Sequence, residues 1–454
     1  MRIGLRYCDN PFVDVGVAAI TAFVNVAKPE QVTAEHLVQV ADYLKDTYSS
    51  LKVVQGQLTT LFPNSGFTQP SFDLERKLAY SDELLYGFMP NAPKLDVACT
   101  FFPEKPAYLY AHRQFVPLLS ADKTMNFLPE GTRNGVPMSG EAVLAVAAIL
   151  LGAFRCKNWL IFHEITSRDD QGADMTLVLA RDAWRQNRQM LELLRAEPDA
   201  KWSTLKRVKQ VYVDRILSAQ SKVNQRFAKL GDVTGYHFSN YGTNPQIEIV
   251  RLESSVWDFI GTAREDAQQA WNKFLAVGQM DKDYNQSYEA LFDLPQRYGR
   301  FLRLLLKVAD WNLTEIFLRK VVKMNQRRIQ LLKDLGDRFL TYIDHYQRDG
   351  RGEVKLGFYY QFARASKPGE LRKLILDACD MAYRKGGEVL LSMDEFILAF
   401  ESPEDRFEGW TLARDLIVLR LLEGLPKLGV SSEERETAAE QHSLQDEAEL
   451  TDAE

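Results

Sequence analysis

The 454-residue chain has no apolar run of membrane length, no cysteines paired closely enough to share a metal, and none of the common catalytic signatures. Its longest apolar stretch, residues 142–154, is 13 residues, whereas a membrane helix needs about 20. Behind Met1-Arg-Ile-Gly-Leu-Arg6 there is neither a long apolar segment nor a small-residue cleavage site, so no signal peptide or anchor is expected. The four cysteines, Cys8, Cys99, Cys156 and Cys379, are scattered, which fits free thiols in a reducing cytoplasm. There is no GxxxxGKS/T phosphate loop, no GxGxxG after a strand, no GxSxG elbow and no HExxH. A non-enzyme without cofactor or metal is therefore expected. His163-Glu164 lies in a strand-like run, where neighbouring side chains point to opposite faces and do not serve one substrate together. Asp169, Asp170 and Asp174 suit either a metal-dependent nuclease or, beside Gly172, a polar turn.

What is present is an ordinary globular composition, 46% apolar and 26% charged, long enough for two or three domains. The net charge of −6 is misleading, because residues 431–454 hold nine acids against Arg435 alone; without that tail the body stands at +2. Two stretches are strongly basic. Residues 203–229 carry seven Lys/Arg and one acid, and residues 296–333 carry ten against two. The overall charge therefore says little about contact with phosphates.

Along the first 278 residues strand-like and helix-like segments alternate. Residues 33–54 read as a helix capped by Thr33, 62–137 as loop-rich, and 141–154 as an apolar helix buried all round. Residues 158–166 and 175–180 read as paired strands about a turn at 167–172. Helices come next at 181–195 and 203–229, then a loop at 231–245, a strand at 247–252 and a helix at 254–277. Beyond lie helical periods at 297–308, 314–335, 369–384 and 404–422. Ser392-Met-Asp-Glu395 reads as a capping box, and Ser402-Pro403 places proline in a first helical turn. The expected fold class is α+β: a mixed α/β N-terminal domain (1–278), a C-terminal α-helical bundle (279–430) and a disordered acidic tail (431–454). Met280 and Met324 stand where internal starts would release the helical part as a separate small subunit.

Three loops are rich in side chains that both donate and accept hydrogen bonds. They contain Asn64, Ser65, Thr68 and Gln69; Arg133 and Asn134; and Asn240, Thr243 and Asn244. Such side chains suit base edges, although Asn, Ser and Gly equally suit ordinary turns. On the basic helices, Arg215, Lys222, Arg226 and Lys229 fall within a strip about 60° wide at 100° per residue. Arg319, Lys320, Lys323, Arg327 and Lys333 share an arc of about 140° opposite most of the apolar residues of their helix. A charged face is often merely solvated, but nearly acid-free strips also suit phosphate contact.

Four pieces, in order, resemble one family. They are Asp9-Asn-Pro-Phe-Val-Asp-Val-Gly16; Thr59-Thr-Leu-Phe-Pro-Asn-Ser-Gly-Phe-Thr-Gln-Pro70; Pro117-Leu-Leu-Ser with Asn126-Phe-Leu-Pro129; and Phe238-Ser-Asn-Tyr-Gly-Thr-Asn-Pro-Gln-Ile-Glu-Ile-Val-Arg-Leu252. That family is the type I-B CRISPR large subunit once named for its two CxxC pairs. The resemblance implies a subunit at the crRNA 5′ end of a Cascade complex. Such a subunit checks a protospacer-adjacent motif in duplex DNA and helps R-loop formation while the guide reads the sequence. Its implied partners are crRNA, target double-stranded DNA, the backbone and 5′-end subunits, and a separate copy of its own helical part. Where the family reads Leu-Pro-x-Cys-x-x-Cys, this chain has Val136-Pro-Met-Ser-Gly-Glu-Ala142, so Ser139 and Ala142 replace thiolates and the family's zinc is not expected. That departure is compatible with a specialised, transposon-associated version. The rival readings are a stand-alone RNA-binding or scaffold protein and the metal nuclease.

Overall fold

In a computed structural model the described residues are 4–112, 135–166, 170–202, 204–223, 232–241, 245–280, 284–350, 352–401 and 409–431, with 434 and 437. The fold is α+β, a mixed first part succeeded by a helical second part. The chain divides into two compact units between Leu252 and Glu253, some 25 residues before the boundary expected at 278. The helices between those two positions pack with the later helices.

Unit 1 opens on a motif in which Asn10, Pro11, Asp14 and Gly16 each have a local task. Asn10 caps helix α1 (Pro11–Phe23), accepting from Phe12 N and Val13 N, and Pro11 takes the first position, where no donor is missed. Asp14 accepts from the Cys8 backbone N at 2.7 Å. At Gly16 a Cβ would meet the Ala145 carbonyl oxygen at 1.8 Å, so only glycine lets the two backbones meet there. Helix α2 (Ala34–Ser50) starts at a Thr33 capping box and stops at extended Leu51. Helix α3 (Lys52–Leu61) then begins, so the expected single helix over 33–54 is two. Helix α4 (Leu74–Leu85), capped by Asp73, lies inside the segment expected to be loop.

Strands β1 (Leu109–Ala111) and β2 (Val136–Met138) form an antiparallel pair. Ser139 caps α5 (Gly140–Ala147), accepting from Ala142 N, and α6 (Ile149–Gly152) continues it after a break at Ala148. Ser139 and Ala142 are thus a helix cap and a buried core residue. The 142–152 stretch is buried on all sides, as its uniform hydrophobicity implies.

Next comes a four-stranded antiparallel sheet: β3 (Phe154–Cys156), β4 (Trp159–Thr166), β5 (Asp232–Ser239) and β6 (Gln246–Arg251), in that order. Between β4 and β5 run α7 (Asp170–Ala196) and α8 (Val208–Val223). Two expectations fail here. Met175 to Ala180 is helix, because the short apolar run belongs to a longer amphipathic stretch. Most of the expected loop at 231–245 is β5, whose polar residues find partners inside the fold. Phe162, Tyr236 and Phe238 share one sheet face, where the Phe12 ring of α1 contacts them at 5.2, 6.2 and 4.9 Å. On the other face Tyr212 of α8 lies against Gly235 and donates to the Val233 carbonyl at 2.7 Å.

Unit 2 is helical. Its elements are α9 (Ser254–Asp266), α10 (Gln268–Val277), α11 (Gln286–Asp293), α12 (Gly299–Val308), α13 (Trp311–Phe317), α14 (Gln326–Tyr346), α15 (Gly357–Arg364), α16 (Pro368–Arg384), α17 (Met393–Phe400) and α18 (Gly409–Gly424). Buried on nearly all sides, α18 is the central helix, packed by α12, α13, α14, α15 and α17. Phe301 sits between Phe259 (5.4 Å), Phe274 (5.0 Å) and Phe317 (4.6 Å), which is why α9 and α10 belong to this unit. The expected capping box at Ser392 and Glu395 starts α17. Ser402-Pro403 and nearly all of the acidic tail lie outside the described residues.

Candidate nucleic-acid interface

The loop after α3 is a tight clip. Asn64 adopts left-handed φ of 64°, Thr68 N donates to the Ser65 carbonyl at 3.0 Å, and Thr68 Oγ1 reaches the same oxygen at 3.1 Å. Gln69 Nε2 closes the loop onto the Asn64 carbonyl at 3.2 Å. Phe67 anchors it in the core between the rings of Tyr48 (5.4 Å) and Tyr80 (5.0 Å). At Gly66 a Cβ would stand 2.5 Å from the Tyr80 ring, so this position needs glycine too. Ser65 is buried, Thr68 and Gln69 are half-buried, and Asn64 is exposed.

At the end of β5 the chain meets this clip. Asn240 is 0% exposed; its backbone N donates to the Thr60 carbonyl at 2.7 Å and its Nδ2 to the Leu61 carbonyl at 3.1 Å. Two of the sequence-predicted loops are therefore brought to one edge of unit 1, although Asn240 and Leu61 are 179 residues apart. Asn240 and Ser65 do not reach solvent. Asn240 ties the two loops together, and neither residue presents a contact to a base. Tyr241, 68% exposed and steadied by its N donating to Ser239 Oγ at 3.2 Å, stands beside them. Sequence reasoning missed it, although a lone aromatic among Asn, Gly and Thr is the composition of a stacking platform. Thr243 and Asn244 lie outside the described residues, as do Arg133 and Asn134 in the connection from β1 to β2.

Of the first basic strip only Arg215 is described in full. Half-buried, its guanidinium lies 4.5 Å over the Phe154 ring and donates to Gln186 Oε1 at 3.2 Å, and burial lowers its pKa. It braces the sheet. Lys222 lies on α8 with its side chain outside the described residues, and Arg226 and Lys229 lie outside them altogether. Beside Arg215, His163 is buried with neither ring nitrogen hydrogen-bonded. Burial, then the nearby Arg215 charge, pushes its pKa down to about 3, so it stays neutral. Glu164 faces the opposite side and accepts from Tyr236 Oη at 3.1 Å, as the strand alternation requires.

In unit 2 the single helix expected over 314–335 is broken. After α13 a π-helical turn (Leu318–Val322) runs into left-handed Lys323 (φ 57°), and α14 starts afresh with Asn325 as its cap. The common arc of five cations is therefore not one helix face. Lys320 pairs with Asp258 at 2.8 Å, and Arg328 is buried, donating to the Ala399 carbonyl at 2.8 Å. Arg319, Lys323 and Arg327 are exposed around the corner between the two helices. Arg319 has only a 4.0 Å contact to Glu315, and Lys323 and Arg327 have no ion pair among the described residues. This compact basic corner replaces the predicted stripe.

Among the described residues no group of three His, Cys, Asp or Glu side chains is placed to hold a metal. Asp169 lies outside those residues, and Asp170 and Asp174 fall in the first turns of α7 with their side chains outside them. No described helix is long and apolar enough to cross a membrane. Comparison with protein-family models, with curated proteins and with solved structures finds no match to this chain.

Proposed function

We propose that this chain is the non-catalytic large subunit of a type I CRISPR Cascade complex, which recognises the protospacer-adjacent motif in duplex DNA and supports crRNA-guided R-loop formation. One observation carries the reading. Two of the pieces that resemble that family, 59–70 and 238–252, meet at one edge through the Asn240 hydrogen bonds. Turn-forming residues shared by chance would have no reason to converge across 179 positions. At that edge Asn64 and Gln69 offer amide groups to base edges and Tyr241 offers a stacking face. The basic corner of Arg319, Lys323 and Arg327 suits the phosphates of the opened strands. Its partners would be crRNA, target DNA, and the backbone and 5′-end subunits. Four unpaired cysteines suit a cytoplasmic assembly.

The test is to express the chain with its operon neighbours and purify through a tag on this chain. A discrete ribonucleoprotein, holding several proteins and a short RNA of uniform 5′ end and binding duplex DNA by its flanking motif, is the expected outcome. RNA without protein partners would favour a stand-alone binder, and cleavage dependent on a divalent metal would favour a nuclease.

A further inference from the structure

A cleft of about 460 Å³ opens in unit 2 between α15 and α16. Its geometry is fixed from below. Arg414 on buried α18 donates to the Ala365 carbonyl at 2.7 Å, holding the hinge where α15 ends, and Ser366 N donates to Glu370 Oε2 at 3.1 Å in the first turn of α16. Tyr359 and Phe362 anchor α15 in the core, which leaves Tyr360 and, one turn on, Arg364 on the side that lines the cleft. The Arg364 guanidinium lies 5.6 Å from the Tyr360 ring centroid, within cation–π range. Across from it α16 contributes Lys373, Leu374 and Asp377. Lys373 and Asp377 make no hydrogen bond or ion pair with the described residues.

We infer that this cleft takes one nucleotide of a single strand, with an amino-bearing base on the Tyr360 ring beside Arg364 and its phosphate against Lys373. The inference rests on the nucleic-acid reading above and adds to it a site and a base preference. The size suits a small ligand and excludes a duplex. A phenol ring and a guanidinium plane are each surfaces on which bases stack. Lys373, which lines the same cleft, supplies a cation for the phosphate. The carboxylates of Asp377 and Glu370 only accept hydrogen bonds, and they repel the phosphate, so the base edge turns toward them. Cytosine, adenine and guanine bring an exocyclic amino group to such an acceptor, whereas thymine's one donor, its ring N3–H, lies between two carbonyl oxygens that the carboxylates repel.

The experiment uses the full-length chain, with fluorescence anisotropy on 15-mer oligo-dC and oligo-dT and calorimetry with dCMP and dTMP. Oligo-dC should bind more tightly than oligo-dT. Tyr360→Ala should weaken oligo-dC binding about 5- to 100-fold, Tyr360→Phe should restore it, and Asp377→Asn should abolish the preference for dC. The half-exposed Tyr360 leaves the core untouched, and an unchanged melting temperature would verify that. Oligonucleotide binding indifferent to Tyr360→Ala, with no dCMP binding, would overturn the cleft assignment while leaving the nucleic-acid reading intact. Tyr360-dependent binding of dCMP without oligonucleotide binding would do the reverse. Binding of neither probe would remove both.

Discussion

A C-terminal fragment that begins at Met280 should be much less stable than one that begins at Glu253. The shorter fragment loses α9 and α10, and with them Phe259, Trp271 and Phe274. Phe301 and Phe317 remain but lose that cover, and the Val308 carbonyl loses the Lys273 Nζ donor at 2.6 Å. An aromatic ring buries about 150–250 Å²; if half is uncovered, each ring costs about 2–3 kcal/mol at roughly 25 cal/mol per Å². The pair then costs about 4–6 kcal/mol, a large part of the roughly 5–15 kcal/mol that holds a typical domain. For a unit of this size that corresponds to about 10–20 °C in melting temperature. Fragments 253–431 and 280–431 would be compared by calorimetry and urea titration. Cooperative melting at the same temperature would refute the argument, because α9 and α10 would then not be part of this core. The consequence reaches the proposed small subunit. Since no methionine lies between Met190 and Met280, mass spectrometry of the complex should find no stable species starting at Met280 or Met324.

Asn240→Ala removes the donor to the Leu61 carbonyl and should lower stability by about 1–3 kcal/mol, read as a lower melting temperature; an unchanged one would show the link to be dispensable. Asn64→Ala and Gln69→Ala should weaken discrimination between motif variants by ~1–3 kcal/mol per lost base contact, and equal loss on all sequences would refute base reading. Neutralising one of Arg319, Lys323 and Arg327 should weaken DNA binding on every sequence and lower the salt slope by about one, whereas an unchanged slope would mean the corner is only solvated. Burial, opposed by the Cys8 hydrogen bond and reinforced by Glu164 and Asp9, pushes the Asp14 pKa up to about 7. The folded state therefore holds that proton more tightly than the unfolded one. Stability from this group is greatest below about pH 4 and falls as pH rises toward 7, so Asp14→Asn should flatten that slope and add on the order of 1–3 kcal/mol above pH 7.

Local chemistry was legible in the sequence. The Thr33 cap, the Ser392–Glu395 box and the all-buried 142–152 stretch each depend on neighbours a few residues away. What could not be read depends on distant partners. Strand β5 resembled a loop because His237, Ser239 and Asn240 are polar, yet the His237 ring reaches Glu248 Oε2 and the Cys156 carbonyl, and Asn240 reaches Thr60 and Leu61. The helical period over 314–335 hid a corner at Lys323, since the apolar rows on either side of a break keep nearly the same spacing. The same distinction sorts the candidate site. Composition marks a loop as rich in donors and acceptors but does not say which are already used. A buried amide such as that of Asn240 is needed to satisfy the fold, because an unpartnered one would cost about 1–3 kcal/mol. Only groups that reach solvent after the loop has closed on itself are available to a ligand. By that criterion the weight of recognition moves from Ser65 and Asn240 to Asn64, Gln69 and Tyr241, whose two loops Asn240 joins at a common edge.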